Sequence, residues 1–202
     1  MKVIAFSHLT VVINSDDNCL PREHLQTHRF MNVDNTQEKL DIMLGESPQH
    51  DIYLVNQKIP IEFVRYKPDL QNQEFSPLET DLMIVGNTIH SQSFDGQFFR
   101  ELCELLNIKA NAKPDSYSFR TLNIGMFVEL KYSKHAPNFN LFVDEYGVSS
   151  FALYVTRISD IPPNFKSSPP FELYLGLNHY KIIFVRCGRV WVELIERLSK
   201  SS

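Results

Sequence analysis

Residues 191–197 read WVELIER, and two earlier stretches carry the same core, PIEFVRY at 60–66 and FVELKYS at 127–133. In each stretch a glutamate follows two apolar residues and precedes a third; these glutamates are Glu62, Glu129 and Glu193. The β-branched and aromatic residues around them favour short strands. A pattern that returns at a similar period predicts copies of one supersecondary unit packed on each other.

Each copy also has an opening strand: VIAFSHLTVVI at 3–13, LMIVGNTI at 82–89 and FALYVTR at 151–157. In the second copy the opening strand is followed by FDGQFFRELCELLNI at 94–108, whose apolar residues fall at helical spacing. Ser93 is the expected N-cap of this helix, and Asp95 lies in its first turn. The recurring order predicts an α+β protein.

Two hairpins are predicted within these units. In residues 51–66, DIYLVNQKIPIEFVRY, two apolar runs flank a polar turn at 56–58. Residues 171–197 read as up to three strands, with turns at Asn178-His179 and at Cys187-Gly188-Arg189. Residues 67–80 are polar, contain two prolines and are predicted to be a linker.

Composition excludes several classes of protein. The chain of 202 residues is 43% hydrophobic and 22% charged, which is ordinary globular usage, and its net charge of −4 gives no basic field for nucleic acid. No apolar run approaches the length of a membrane span, and polar residues interrupt the N-terminal run where a signal peptide needs an apolar core. Three widely spaced cysteines fit a reducing compartment. We therefore expect a cytoplasmic protein that binds neither nucleic acid nor membrane.

The module pattern resembles the vicinal oxygen chelate superfamily, also called glyoxalase/bleomycin-resistance/dioxygenase proteins. The stretches FFRELCELLNIK, SSFALYVTRISD and FELYLGLNHYKIIFVRCGRVWVELIE are similar to its helix, its fifth strand and its closing hairpin. FSHLTVVI, HDIYLV and IPIEFVRY are similar to a further module. The turn Arg186-Cys187-Gly188-Arg189 departs from the family, because the usual Asp-Pro pair is missing.

The resemblance implies repeated βαβββ modules whose curved mixed sheets enclose a cleft, a glyoxalase-like fold. It implies a single module in residues 1–66, a linker in 67–80 and a paired-module domain in 81–202. The second and third modules match the family best, so these two are expected to pair.

The resemblance also implies a metal site on the opening and closing strands of paired modules. The first module offers His8 and Glu62, because His8 lies in its opening strand. In the second module the opening strand shows Ile84 near the expected place, and the third shows Phe151, neither of which coordinates a metal. The implied ligand set for one divalent ion (Zn, Ni, Fe or Mn) is therefore His8, Glu62 and Glu193.

Other interpretations of the same residues stay open. His8 on an apolar strand is also typical of a hydrogen-bonded core histidine, and the three glutamates could pair with nearby arginine or lysine residues. The sequence has no GxxxxGK[ST], GxGxxG or GxSxG motif. Nothing in the spacing favours Cys103 or Cys187 as a nucleophile.

Three functions follow from these observations. The first is a small-molecule-binding protein whose aromatic-lined cleft needs no metal; the expected contact residues are Glu129, Phe151, Tyr154, Trp191 and Glu193. The second is a metal-dependent lyase, isomerase or dioxygenase acting on a substrate with adjacent oxygens, its site completed across a homodimer. The third is an interaction module with a vestigial cleft. A homodimer is expected because an odd number of modules leaves one without an internal partner.

Overall fold

The computed structural model describes residues 1–13, 28–30, 50–55, 59–66, 84–108, 115–120, 127–139, 147–175 and 178–198. The first module contributes four strands: β1 Val3–Ile13, β2 His28–Phe30, β3 His50–Val55 and β4 Ile61–Tyr66. The second contributes one helix and four strands: β5 Ile84–Val85, β6 Thr88–Ser91, α1 Gly96–Leu105, β7 Ser116–Arg120 and β8 Phe127–Tyr132. The third contributes a 3-10 turn, Ile158–Asp160, and four strands: β9 Gly147–Val155, β10 Phe171–Leu175, β11 Asn178–Cys187 and β12 Val190–Leu198.

All three modules share one strand arrangement. In each, the closing strand lies beside the opening strand and runs parallel to it: β4 beside β1, β8 beside β6 and β12 beside β9. The preceding strand then pairs antiparallel with the closing strand. The predicted fold class, α+β with repeated modules and curved mixed sheets, is confirmed. Among the described residues, only the second module has an α-helix.

The first and third modules, rather than the second and third, share a sheet. Their eight strands follow the order β10-β11-β12-β9-β1-β4-β3-β2, and the two opening strands β1 and β9 meet antiparallel at its centre. This differs from the expected pairing. The physical reason is that β1 and β9 are long strands of 11 and 9 residues, whereas the opening strand of the second module has four.

The second module forms its own four-stranded sheet in the order β5-β6-β8-β7. The stretch 82–89, predicted as one strand, contains a hairpin, in which Ile84 pairs with Ile89 across a turn at Gly86. Gly86 has φ +65°, the left-handed conformation that hairpin turns require and that glycine adopts without strain. The opening strand of this module is therefore β6, and Ile84 lies outside it.

The predicted amphipathic helix is confirmed as α1, but its N-cap is Asp95 instead of Ser93. The backbone N–H of Phe98 donates to Asp95 Oδ1 at 2.8 Å. The Ser93 hydroxyl instead accepts from the backbone N–H of Phe139 and donates to Asn138, so it joins the helix start to a neighbouring loop.

The main core lies between the large sheet on one side and α1 with the small sheet on the other. It includes aromatic and aliphatic side chains that are completely buried: Leu9, Phe94, Phe98, Phe99, Leu102, Val128, Leu130, Phe151 and Leu153. A smaller apolar cluster lies on the opposite face of the large sheet, and its members are Ala152, Phe171, Ile182, Phe184, Trp191 and Ile195. The large sheet is thus buried on one face by the core and carries an aromatic cluster on the other.

The hairpins are formed largely as the sequence predicts. β3 pairs with β4, and the turn between β11 and β12 falls at Gly188, where φ is +55°. The predicted turn at Asn178-His179 is wrong, because both residues lie inside β11, which begins opposite Leu175. The proposed linker at 67–80 lies outside the described residues. Among the described helices, none has the length and apolar character needed to cross a membrane.

Candidate functional site

Three strands bring His8, Glu62 and Glu193 together on the face of the large sheet opposite the main core. Val192 and Leu194 pack in that core, and because side chains alternate along a strand, Glu193 between them points to the other face. Thr10 and Glu62 are register partners on β1 and β4, and the Thr10 hydroxyl donates to Glu62 Oε2 at 3.3 Å. Strand parity and register therefore place both carboxylates on the same side.

His8 lies between the two carboxylates. Its Nε2 is 3.3 Å from Glu62 Oε2 and 3.3 Å from Glu193 Oε2. The three ligand atoms all lie within 4.8 Å of one another. Ser7 Oγ is 3.0 Å from His8 Nδ1, so the second ring nitrogen is also hydrogen-bonded and the ring orientation is held. The sequence predicted these three residues as ligands, and the structure brings them to one point.

Burial and charge oppose each other at this cluster. Burial lowers the pKa of His8, but the negative charge of Glu62 and hydrogen bonds to both carboxylates overcome it and raise the pKa to about 10. Burial raises the pKa of Glu193, and the nearby His8 offsets only part of that shift. Without a bound cation, His8 therefore keeps its proton at neutral pH, and its imidazolium offsets one of the two carboxylate charges.

The third module offers a serine where the first offers His8. Glu193 pairs in register with Ala152, and Glu62 with Thr10. His8 stands two residues before Thr10, and Ser150 stands two residues before Ala152. Sequence reasoning missed Ser150 because it took the neighbouring Phe151 for this position. The signal that would have found it is the parity of FALYVTR, in which Phe151, Leu153 and Val155 form the apolar face.

The structure corrects two predicted contact residues. Phe151 is completely buried on the core face, where its ring lies 6.2 Å from the rings of Phe94 and Phe98. Glu129 lies in the small sheet, where Val128 and Leu130 point into the core and the glutamate points away. Its Oε2 accepts from the Thr88 hydroxyl at 3.4 Å, so it repeats the Thr10–Glu62 arrangement in another sheet.

The two other aromatic residues predicted to bind ligand lie on the site face. Trp191 is the register partner of Ser150, and Tyr154 that of Ile195; both aromatic residues belong to or pack against the small aromatic cluster. Tyr154 also shares a hydrogen bond with Ser7, and burial raises its pKa. Tyr154, Ser7 and His8 therefore form one polar chain that ends at the two carboxylates.

The two described thiols and the His179–Glu172 pair lie in surroundings that disfavour a catalytic role. Burial raises the pKa of the Cys103 and Cys187 thiols, so neither is the thiolate that nucleophilic catalysis requires. His179 Nε2 on β11 lies 2.8 Å from Glu172 Oε2 on β10. The His179 ring stacks on the exposed ring of Tyr174. This second histidine–glutamate pair has no third ligand among the described residues.

No protein-family model and no curated protein sequence matches the chain. Among solved structures, methylmalonyl-CoA epimerase from Mycobacterium tuberculosis is similar, with 10% identity and a TM-score of 0.36, over 98% of this chain and 91% of that one. A mutant 4-hydroxymandelate synthase from Streptomyces coelicolor shows 10% identity and a TM-score of 0.29, over 98% of this chain and 64% of that one. A mutant glyoxalase I from Zea mays shows 12% identity and a TM-score of 0.26, over 96% and 68%. All three are members of the vicinal oxygen chelate superfamily.

Proposed function

We propose that this protein binds one divalent metal ion through His8, Glu62 and Glu193, and that the ion holds an oxygen-bearing small molecule. One observation carries the proposal: the ligand atoms of three residues from three strands, 185 positions apart at the extremes, lie within 4.8 Å of one another. These residues come from the two modules that share a sheet, so one chain supplies the complete set without a second copy.

The donor set fits a transition metal ion. One imidazole and two carboxylates suit Zn, Fe, Mn or Ni better than the softer ions that prefer sulfur ligands. Ligand atoms that each lie about 2.1 Å from one ion are separated by roughly 3.0 to 3.4 Å. The two His8–carboxylate distances of 3.3 Å fall in that interval. A divalent ion also balances the two carboxylates once His8 has lost its proton.

The residues around the ligands have distinct roles. Ser7 holds the ring of His8 through Nδ1, which leaves Nε2 directed at the carboxylates. Thr10 orients Glu62 by donating to Oε2. A divalent ion bound there would polarise a carbonyl or lower the pKa of a bound water or hydroxyl group. By resemblance, the reaction class is that of a lyase, isomerase or dioxygenase whose substrate carries adjacent oxygens.

A second candidate is a binding protein that needs no metal. The observation in its favour is the triad itself, because protonated His8 already offsets one carboxylate charge without a metal ion. The adjoining aromatic cluster, with Trp191 and Phe184 on the same face, has the character of a pocket for an organic molecule. Ligand-dependent melting of metal-stripped protein would support this candidate.

Metal content separates the two candidates. We expect equilibrium dialysis followed by metal analysis of the purified chain to show one bound ion from Zn²⁺, Mn²⁺, Fe²⁺ or Ni²⁺. The variants His8→Ala and Glu193→Gln should lose binding, because each removes one of three ligands. Ser7→Ala should weaken binding by roughly 10- to 100-fold, the range for loss of an outer hydrogen-bond partner.

Two matched variants provide controls. His179→Ala breaks the other histidine–glutamate pair, and Glu129→Gln alters the equivalent glutamate in the small sheet. Both should bind metal like the unmodified chain. Circular dichroism establishes that each variant is folded. Absence of a stoichiometric ion in the unmodified protein, or an ion retained in His8→Ala, would contradict the metal site.

A further inference from the structure

Two hydroxyl groups lie buried beside the His8 cluster without a hydrogen-bond partner among the described residues. They belong to Ser149 and Ser150, and both residues are completely inaccessible to solvent. Buried polar groups in folded proteins are nearly always satisfied, because an unpaired hydroxyl forfeits the hydrogen bonds that water gave it. Two adjacent unpaired hydroxyls therefore suggest that they bind a group from outside the described residues.

The backbone presents these serines through a β-bulge. Thr10 pairs with Ser150, whereas the next residue, Val11, pairs with Val148, so β9 contains one extra residue at Ser149. On β1, Phe6 pairs with Leu153 and Leu9 with Phe151, so β1 contains one extra residue at Ser7 and His8. Bulges occur frequently beside functional sites, where they redirect side chains.

The two bulges occupy equivalent places in the two halves of the sheet. Adding 142 to a residue of β1 gives its counterpart in β9, because Thr10 faces Glu62 as Ala152 faces Glu193. The Ser7–His8 bulge then corresponds to Ser149–Ser150. One half of the site thus presents a serine and an imidazole, and the other half presents two hydroxyls.

Ser150 lies on the site face. Its register partner on one side is Thr10, whose hydroxyl touches Glu62, and on the other side it is Trp191, which belongs to the aromatic cluster of that face. Ser150 therefore stands between the carboxylate cluster and the aromatic side chains. A molecule that contacts both the carboxylate cluster and the aromatic side chains would therefore also contact Ser150.

We propose that Ser150, with Ser149 beside it, is the ligand-binding hydroxyl of this site and hydrogen-bonds a ligand oxygen that lies next to the metal ion without coordinating it. This inference rests on the proposed function. The ligand class is an organic molecule with one oxygen for the ion, a second oxygen for the serines and an apolar body for Trp191. A hydroxyl both donates and accepts, so a carbonyl, carboxylate or alcohol oxygen satisfies it.

The test uses the Co²⁺-loaded full chain and benzoate, whose carboxylate offers one oxygen to the ion and a second to the serines, and whose ring is the apolar body. Binding is followed through the visible absorption of Co²⁺. We expect Ser150→Ala to weaken benzoate binding roughly three- to tenfold, as for loss of one hydrogen bond of ordinary net strength, with unchanged Co²⁺ affinity. Ser149→Ala should act in the same direction. Ser159→Ala, which alters an exposed serine on the 3-10 turn, is the control.

A second measurement, the melting temperature of the metal-free protein, separates a ligand-binding serine from a structural one. In metal-free protein, Ser150→Ala should leave the melting temperature unchanged or raise it, because it removes a buried hydroxyl that has no partner. A serine with a purely structural hydrogen bond would instead lower the melting temperature on replacement. Weaker ligand binding together with undiminished stability therefore supports the proposal.

The outcomes distinguish a failure of the metal site from a failure of the role proposed for Ser150. If the unmodified chain binds no Co²⁺, both the metal site and the role of Ser150 are overturned. If Co²⁺ binds and benzoate affinity is the same in Ser150→Ala and in the unmodified protein, only the role of Ser150 is overturned. A drop in melting temperature of the metal-free Ser150→Ala variant would assign the hydroxyl to the fold.

Discussion

Burial and the two neighbouring carboxylates shift the pKa of His8 in opposite directions, and the net shift makes the stability of the metal-free chain depend on pH. The pKa of His8 is raised from 6.5 to about 10, and that of Glu193 is raised by burial. Both groups therefore bind protons more tightly in the folded chain than in the unfolded one. Unfolding releases these protons, so the free energy of unfolding falls as the pH rises.

We predict that the contribution of His8 is complete below pH 6.5 and is lost as the pH approaches 10. Thermal unfolding in the presence of a chelator should show the unmodified protein above His8→Ala in melting temperature at pH 6, with the gap closing toward pH 10. The variant His179→Ala, which alters an exposed pair, provides the comparison. A gap that stays constant over this interval would show that the proton is not held at His8.

At the scale of elements, one side-chain hydrogen bond caps the start of the buried helix α1. Asp95 accepts from the Phe98 N–H, and the helix buries Phe98, Phe99 and Leu102 in the main core. Asp95→Ala should lower the free energy of unfolding by about 1 kcal/mol, measured by urea titration. Asp95→Asn keeps a capping oxygen and should cost much less.

A matched control for the cap is Asp115→Ala, because Asp115 is exposed and offers only a backbone contact to Tyr132. Equal destabilisation by Asp95→Ala and Asp95→Asn would attribute the effect to charge instead of capping. The sequence predicted this helix well because its apolar spacing is local information. It placed the cap two residues early, since Ser93 is an equally good capping residue and only the loop at Asn138 and Phe139 recruits it elsewhere.

The opening strands show where local patterns fail. The parity of residues 151–155 assigns Phe151 to the apolar face, but only the register with β1 reveals the extra residue at Ser149 and places Ser150 beside Thr10. The hairpin at Gly86 was missed for a related reason, because its flanking residues form one continuous apolar run. In both cases a single residue decides which face a side chain takes.

At the scale of the whole molecule, the shared sheet makes the first and third modules depend on each other. β1 pairs with β9 along most of its length, and its Phe6, Leu9 and Val11 fill the core beneath α1. The expected division into residues 1–66 and 81–202 would separate these strands. The module left without a partner in a shared sheet is then the second, and the homodimer stays a prediction.

We predict that a fragment of residues 81–202 does not reach the packed native state. It would expose the edge of β9 and leave the core without its β1 side chains. Near-ultraviolet circular dichroism of the fragment should lack a fixed aromatic signal, and addition of a separate 1–66 fragment should restore part of it. A cooperative thermal transition of the isolated fragment would contradict this dependence and support the two-domain division.

The amino-acid sequence by itself determined the strands, the amphipathic helix and the recurrence of a glutamate in each closing strand, because periodicity and turn residues act over a few positions. It also singled out His8 as the imidazole in the opening strand of the first module. Only the tertiary structure decided which modules pair, and with that pairing it brought Glu62 and Glu193, the two glutamates implied by the resemblance, to His8. That choice depends on the pairing of Leu9 with Phe151, far apart in the chain, and such pairing is set by how much apolar surface two long strands bury together.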